Sequence, residues 1–167
     1  MKKIIKELIP YILIFIVVFL IRTYIATPII VVGSSMNPTL TDGQILLLNK
    51  FDYNFNEIER YDIVVIKKSK EEIIKRIIGL PGEYVEYKNN ILYINNKKIE
   101  SAYNFMTEDF TLEDICECDE IPKDKYLVLG DNRGDSLDSR SKLLGLVDKK
   151  YIKGSTSISI FPMKKVK

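Results

Sequence analysis

A serine in a glycine-containing turn and a lysine in a later apolar segment are the residues of this chain best suited to covalent chemistry. Ser35 lies in Gly33-Ser34-Ser35-Met36-Asn37-Pro38-Thr39-Leu40, and Lys75 lies in Ile73-Ile74-Lys75-Arg76-Ile77-Ile78. The chain contains no histidine, so a serine nucleophile in this protein needs another general base. The pattern predicts that a lysine fills this role.

Lys75 and Arg76 are adjacent, and their side chains alternate between the two faces of a predicted strand. Arginine keeps its proton at ordinary pH, whereas burial can lower the pKa of a lysine by several units. Lys75 is therefore the candidate base. We expect its apolar flanking residues to lower its pKa, and the reaction rate to increase with pH through that ionisation.

Four ordered segments carry a family resemblance. The Ser35 segment resembles the Ser-Met-x-Pro-Thr-Leu motif of bacterial type I signal peptidases, and Ile74–Glu83 resembles their lysine motif. Gly130–Arg140 resembles their Gly-Asp-Asn-Arg motif with the following Ser-x-Asp-Ser-Arg, and Arg60–Val65 is a weaker match. The resemblance implies a Ser/Lys endopeptidase that removes signal peptides from exported preproteins, without a metal or other cofactor.

The resemblance also implies roles for the residues around the dyad. Ser136 matches a serine that hydrogen-bonds the lysine amine and orients it. The amide of Ser35 is an expected oxyanion donor; the second donor is open, with Ser34 or a backbone amide as candidates. The expected oxyanion-binding and substrate-binding positions are Gly33, Ser34 and Met36. A structural ion-pair cluster that holds the catalytic loop is implied at Asp131, Asp138 and Arg140.

Residues 1–26 have the pattern of a cytoplasmic N-terminus followed by a transmembrane anchor. Three lysines precede the uncharged run Leu8–Ile21, which predicts a cytoplasmic N-terminus and an extracytoplasmic domain over residues 27–167. A cleavable secretory leader has a similar outline. Arg22 at the exit and the lack of an A-x-A-like pair favour a retained single-pass anchor in the cell membrane, with the lipid bilayer as a partner.

The remaining chain is typical of a β-protein. Short apolar or alternating runs are bounded by turn residues, at Ile29–Val32, Ile45–Leu48, Ile63–Ile66, Ile73–Ile78, Tyr84–Tyr87, Ile91–Ile94, Tyr126–Leu129 and Ser157–Phe161. We predict a mainly β fold, with a coiled antiparallel sheet after one N-terminal transmembrane helix. Residues 84–125, rich in Tyr, Asn and acidic side chains, are expected to form a small excursion from the catalytic core.

Composition limits the other possibilities. The 167 residues, 46% of them hydrophobic, allow one anchor and one core. A net charge of +2 without a basic stripe argues against nucleic acid as a partner. Cys116 and Cys118 are separated by one residue, which favours a disulfide or two free thiols over part of a metal site.

Two alternative functions remain. The self-cleaving repressor proteases resemble this core and use the same dyad, but they are cytosolic, and the apolar N-terminal segment argues against them. A non-catalytic, membrane-tethered assembly factor is the other alternative. The presence of both Ser35 and Lys75 favours an enzyme.

Overall fold

The structure is a computed structural model that describes residues 2–20, 22, 26–50, 53, 56–69, 71–100, 103 and 105–166. Helix α1 spans Lys2–Leu20 and contains Pro10. Its large apolar side chains from Leu8 onward are exposed. Within the described residues, no helix combines the length and the apolar character that a membrane crossing requires. The anchor predicted over residues 1–26 includes residues 1, 21 and 23–25, which lie outside the described part.

Antiparallel β-strands are the main regular structure in the rest of the described chain, so the predicted mainly β class is confirmed. One short helix, α2 (Leu112–Ile115), lies in the second half of the chain. In chain order, the strands are β1 (Ala26–Ile30), β2 (Ile45–Asn49), β3 (Ile63–Lys68), β4 (Glu71–Gly79), β5 (Val85–Lys88), β6 (Ile91–Ile94), β7 (Lys97–Lys98), β8 (Phe110–Thr111), β9 (Lys125–Leu129), β10 (Val147–Asp148), β11 (Ile152–Ser155), β12 (Ile158–Phe161) and β13 (Lys164–Lys165).

Each of the eight predicted apolar runs overlaps a strand. The strands that sequence analysis missed are β7, β8, β10, β11 and β13. They contain only two to four residues each, which is too short for an alternating pattern to be recognised.

The larger sheet has β3 and β4 near its centre. Its order is β10-β9-β4-β3-β11-β2-β12-β13, with β1 also paired to β2. Residues 63–66 of β3 and 75–79 of β4 are all buried, and Val64 lies directly opposite Lys75. Strand β9 pairs only with residues 76–79 of β4. No described strand therefore covers the outer edge of residues 71–75.

A second sheet, with the order β7-β6-β5-β8, lies within residues 84–125. Its two tight turns are Asn89-Asn90 and Asn95-Asn96, all with positive φ, a conformation that asparagine tolerates well. Cys116 and Cys118 form a disulfide. One core cluster joins the two sheets, with Val85, Leu92 and Phe110 packed together with Ile78, Leu127 and Leu129.

Candidate active site

Ser35 lies on a turn between β1 and β2 that is anchored on both sides. Gly33 has a φ of +90°, in a region that glycine adopts without steric cost, and its amide donates to Asp42 Oδ1 at 2.7 Å. After the serine, Met36 and Leu40 are buried in an apolar core cluster. These contacts hold Ser35, which is partly exposed, on a fixed turn.

Lys75 reaches this turn from β4. Its Nζ lies 2.7 Å from Ser35 Oγ, and the residue is only 3% exposed. Burial lowers the pKa of Lys75 from its ordinary 10.5 to about 8. The negative charges of Asp138 and Asp131 raise this pKa and so oppose the effect of burial, whereas the positive charge of Lys68 lowers it further. An amine with this pKa is neutral in part of the molecules near neutral pH, and then accepts a proton from the adjacent hydroxyl.

Arg76, next to Lys75 in β4, fixes the catalytic loop, which we define as residues 130–140. Its Nε donates to Asp131 Oδ1 at 2.8 Å and its Nη2 to Oδ2 at 2.6 Å, and both side chains are fully buried. Such a two-pronged pair sets orientation as well as distance. Alternation along one strand thus places the candidate base on one face and the anchor of the loop on the other.

The second half of the catalytic loop has its own ion pair. Arg140 donates to both carboxylate oxygens of Asp138, at 3.0 and 2.9 Å, and the same carboxylate accepts the amide of Gly130 at 3.0 Å. The expected single cluster is therefore two separate pairs, because Asp131 pairs with Arg76. From the sequence, Arg76 was weighed only as a rival base, and its pairing with Asp131 was not predicted.

Ser136 does not form the expected hydrogen bond with Lys75. Its Oγ is buried and has no hydrogen-bond partner among the described residues. It packs closely against Gly130, where an added β-carbon would lie 2.1 Å from Ser136 Oγ and 2.5 Å from the Ser35 carbonyl oxygen. The missing side chain at residue 130 lets the catalytic loop approach the turn that carries Ser35, residues 33–40, which we call the nucleophile turn.

Asn132 and Asp135, which sequence analysis did not select, also hold the nucleophile turn. Asn132 donates its amide to the Ser35 carbonyl at 3.0 Å and its Nδ2 to the Ser34 carbonyl at 3.2 Å. The Ser34 hydroxyl donates to Asp135 Oδ2 at 2.6 Å. The Ser34 hydroxyl, one candidate for the second oxyanion donor, is therefore engaged elsewhere. The two bonds that involve side chains join residues 98 and 101 positions apart, so no local pattern signals them.

A cleft of about 120 Å³ borders Ser35 and Lys75. Residues 29–33 at the end of β1 line one side, residues 72–75 of β4 line another, and Met36 also contributes to the lining. Among the described strands, β1 pairs only with β2, and residues 71–75 pair only with β3. The cleft is therefore bordered by strand edges able to pair with an extended peptide.

The sequence and the fold are both similar to those of known peptidases. The family model described as "Signal peptidase, peptidase S26" matches residues 2–161. Signal peptidase IB of Staphylococcus aureus (strain COL) is 36% identical over 181 residues, covering 99% of this chain and 94% of its own length. Signal peptidase I P of Bacillus subtilis subsp. natto is 40% identical over 160 residues, covering 91% of this chain and 86% of its own.

A solved structure agrees with the sequence matches. The crystal structure of a signal peptidase I from Enterococcus faecalis V583 has a TM-score of 0.54 and 35% identity, and the match covers 60% of this chain and 97% of that one. The matched family model spans nearly the whole chain. This protein therefore belongs to the signal peptidase family, peptidase S26.

Proposed function

We propose that this protein is a serine endopeptidase that removes N-terminal signal peptides from exported preproteins, with Ser35 as nucleophile and Lys75 as general base. The observation that carries the proposal is the 2.7 Å distance between Lys75 Nζ and Ser35 Oγ, for a lysine that is only 3% exposed. The signal peptidases IB and I P that match this chain over most of its length support the substrate class.

In the proposed reaction, neutral Lys75 accepts the proton of the Ser35 hydroxyl as Oγ attacks the scissile carbonyl. The resulting ammonium then gives its proton to the leaving amine, which leaves an ester between Ser35 and the signal peptide. Water, deprotonated by the same amine, hydrolyses this ester and frees the enzyme. The backbone amide of Ser35 is the proposed donor to the oxyanion.

The substrate binds as an extended strand in the cleft between β1 and β4. Its backbone pairs with the strand edges at residues 29–33 and 72–75, in the manner of strand addition. A volume of about 120 Å³ favours small side chains next to the scissile bond. This arrangement places the scissile carbonyl next to Ser35, which lines the cleft.

We also propose that the N-terminal segment anchors the protein in the cell membrane, with the catalytic domain on the extracytoplasmic side. The apolar side chains of α1 from Leu8 to Leu20 are exposed, and a lipid environment would cover them. Lys2, Lys3 and Lys6 precede them and favour a cytoplasmic N-terminus. The catalytic site is then held at the surface where a preprotein emerges.

The test uses full-length protein in detergent, a preprotein, and N-terminal sequencing of the product. Wild type should produce one new N-terminus at the signal-peptide junction, whereas Ser35→Ala and Lys75→Arg should lose activity by roughly 10³-fold or more. Ser157→Ala and Lys97→Arg change exposed residues and should cleave normally. Cleavage by Ser35→Ala would refute the assignment. A wild type that binds preproteins without cleaving any would support the assembly role instead.

A further inference from the structure

Two aromatic side chains, Tyr103 and Phe105, cover arginines of the active-site region. The Tyr103 ring centroid lies 4.1 Å from Arg76 Cζ, and the Phe105 ring centroid lies 5.6 Å from Arg133 Cζ. The two rings stack on each other with centroids 5.9 Å apart. We call Tyr103 and Phe105 the aromatic strap. Neither ring belongs to the apolar core clusters of the described residues. The Tyr103 ring also lies against Tyr61, with ring centroids 5.2 Å apart.

Arg133 depends on aromatic contacts because its hydrogen bonding is incomplete. The residue is 7% exposed, and its Nε and Nη1 have no hydrogen-bond partner among the described residues. Besides Phe105, the ring of Tyr87 lies 5.7 Å from its Cζ. The faces of aromatic rings attract a guanidinium and partly replace its lost hydration. Removal of Phe105 would leave this cation with one ring in place of two.

Each of the two arginines is linked to a neighbour of Asn132. Arg76 binds Asp131, which precedes Asn132, and Arg133 is itself the residue that follows Asn132. The amide of Asn132 donates to the carbonyl of Ser35 at 3.0 Å. A displacement of residues 131–133 is therefore passed directly to the nucleophile turn.

We propose that Tyr103 and Phe105 are positioning residues for Ser35 and Lys75, an inference that rests on the proposed peptidase function. The aromatic strap shields Arg76 and Arg133 from water and thereby holds residues 131–133, so that Ser35 Oγ stays within reach of Lys75 Nζ. Neither ring lines the substrate cleft. The strap therefore acts on the chemical step and leaves substrate binding unchanged.

The test compares kcat and KM of full-length variants on one preprotein. Tyr103→Leu and Phe105→Leu should each lower kcat about tenfold and change KM by less than about twofold, because small misplacements of reacting groups are costly. Tyr103→Phe and Phe105→Tyr keep an aromatic ring at each position and should have a kcat close to that of wild type. The matched control is Tyr93→Leu, a partly buried tyrosine of β6. Urea unfolding midpoints show whether each variant is folded.

The outcomes separate this inference from the proposed function. Wild-type kcat in both leucine variants, or a loss of activity that only follows the folded fraction, would overturn the role of the strap. A raised KM at constant kcat would also overturn it, because the strap would then act on binding. Wild type and Ser35→Ala are assayed in parallel; equal activity of these two refutes the peptidase mechanism itself, whatever the strap variants do.

Discussion

At the scale of single residues, burial distinguishes Lys75 from the other lysines whose exposure the structure describes. An ordinary lysine is almost fully protonated at neutral pH. Burial at 3% exposure brings the pKa of Lys75 down to about 8, although the charges of Asp138 and Asp131 oppose the change. Arg76, one position away, keeps a carboxylate partner and serves as an anchor. Two adjacent cations thus differ in role because of their partners.

The first prediction concerns the pH dependence of cleavage. The reactive form contains the neutral amine of Lys75, so kcat/KM should increase about tenfold per pH unit below the pKa and level off above it. With the pKa at about 8, the midpoint should lie near that value. The measurement is kcat/KM for one preprotein at fixed ionic strength across this range. A profile that is flat, or that decreases with pH, would contradict Lys75 as the base.

The second prediction concerns the free energy of unfolding. Below about pH 8 the amine is protonated in both states, and the folded state carries the full cost of burying its charge. Because the pKa is 10.5 when unfolded and about 8 when folded, Lys75→Met should be more stable than wild type by up to about 3 kcal/mol. The advantage should fade between these two pH values, because the amine is neutral in both states above them.

Urea unfolding of catalytically inactive protein measures this difference without self-cleavage. Ser35→Ala is the reference, Ser35→Ala/Lys75→Met carries the change, and Ser35→Ala/Lys97→Met controls for the loss of an exposed lysine. A Lys75→Met double variant that is less stable than its reference below pH 8 would contradict the prediction. The contacts of the amine would then stabilise the folded state by more than the burial of its charge destabilises it.

At the scale of elements, the end of β9 and the nucleophile turn are in direct contact. Gly130 follows β9 and begins the catalytic loop, and the space that a β-carbon would need there is occupied by Ser136 and the Ser35 carbonyl. The amide of Gly130 is also bound by Asp138, so the backbone is held on both sides. A side chain at this position must displace either the loop or the turn.

The third prediction follows from this contact. Gly130→Ala should lower kcat by about 10²-fold, because the added carbon pushes Ser35 away from Lys75. Gly134→Ala lies in the same loop, with no atom within 4 Å of the added carbon, and should behave as wild type. Both variants are assayed for preprotein cleavage and for thermal unfolding. Full activity of Gly130→Ala would show that the contact is not needed for catalysis.

At the scale of the whole molecule, the catalytic loop is held from both sheets. Arg76 of the larger sheet binds Asp131 of the loop, while Tyr87 of the smaller sheet lies against Arg133. The shared core cluster keeps the two sheets together. The geometry at Ser35 therefore depends on residues of both sheets, including the segment predicted as an excursion.

The fourth prediction concerns membrane topology. Full-length protein made in bacteria should stay with the membrane fraction after an alkaline carbonate wash, and protease added outside should digest the domain after residue 26. Replacement of Lys2, Lys3 and Lys6 by glutamine should leave part of the molecules in the opposite orientation. A cytoplasmic marker protein controls for leakage. Release by carbonate, or complete protection from outside protease, would refute the proposed anchor and its orientation.

The family, the mainly β class and the two candidate reactive residues follow from the amino-acid sequence alone. The motifs are local, because the residues next to Ser35 and Lys75 in the sequence are enough to indicate a glycine-containing turn and an apolar strand. The absence of histidine excludes the commonest general base. The longer strands are also local, because side-chain alternation shows over a few residues.

The contacts that hold the site are visible only in the folded chain. The pairing of Asp131 with Arg76, the bond from Ser34 to Asp135 and the contacts of the aromatic strap all join elements far apart in the chain. Such contacts depend on which strands become neighbours when the sheets fold, and many residue pairs of the same types are compatible with the sequence. Packing selected these pairs, and with them the 2.7 Å distance between Ser35 and Lys75.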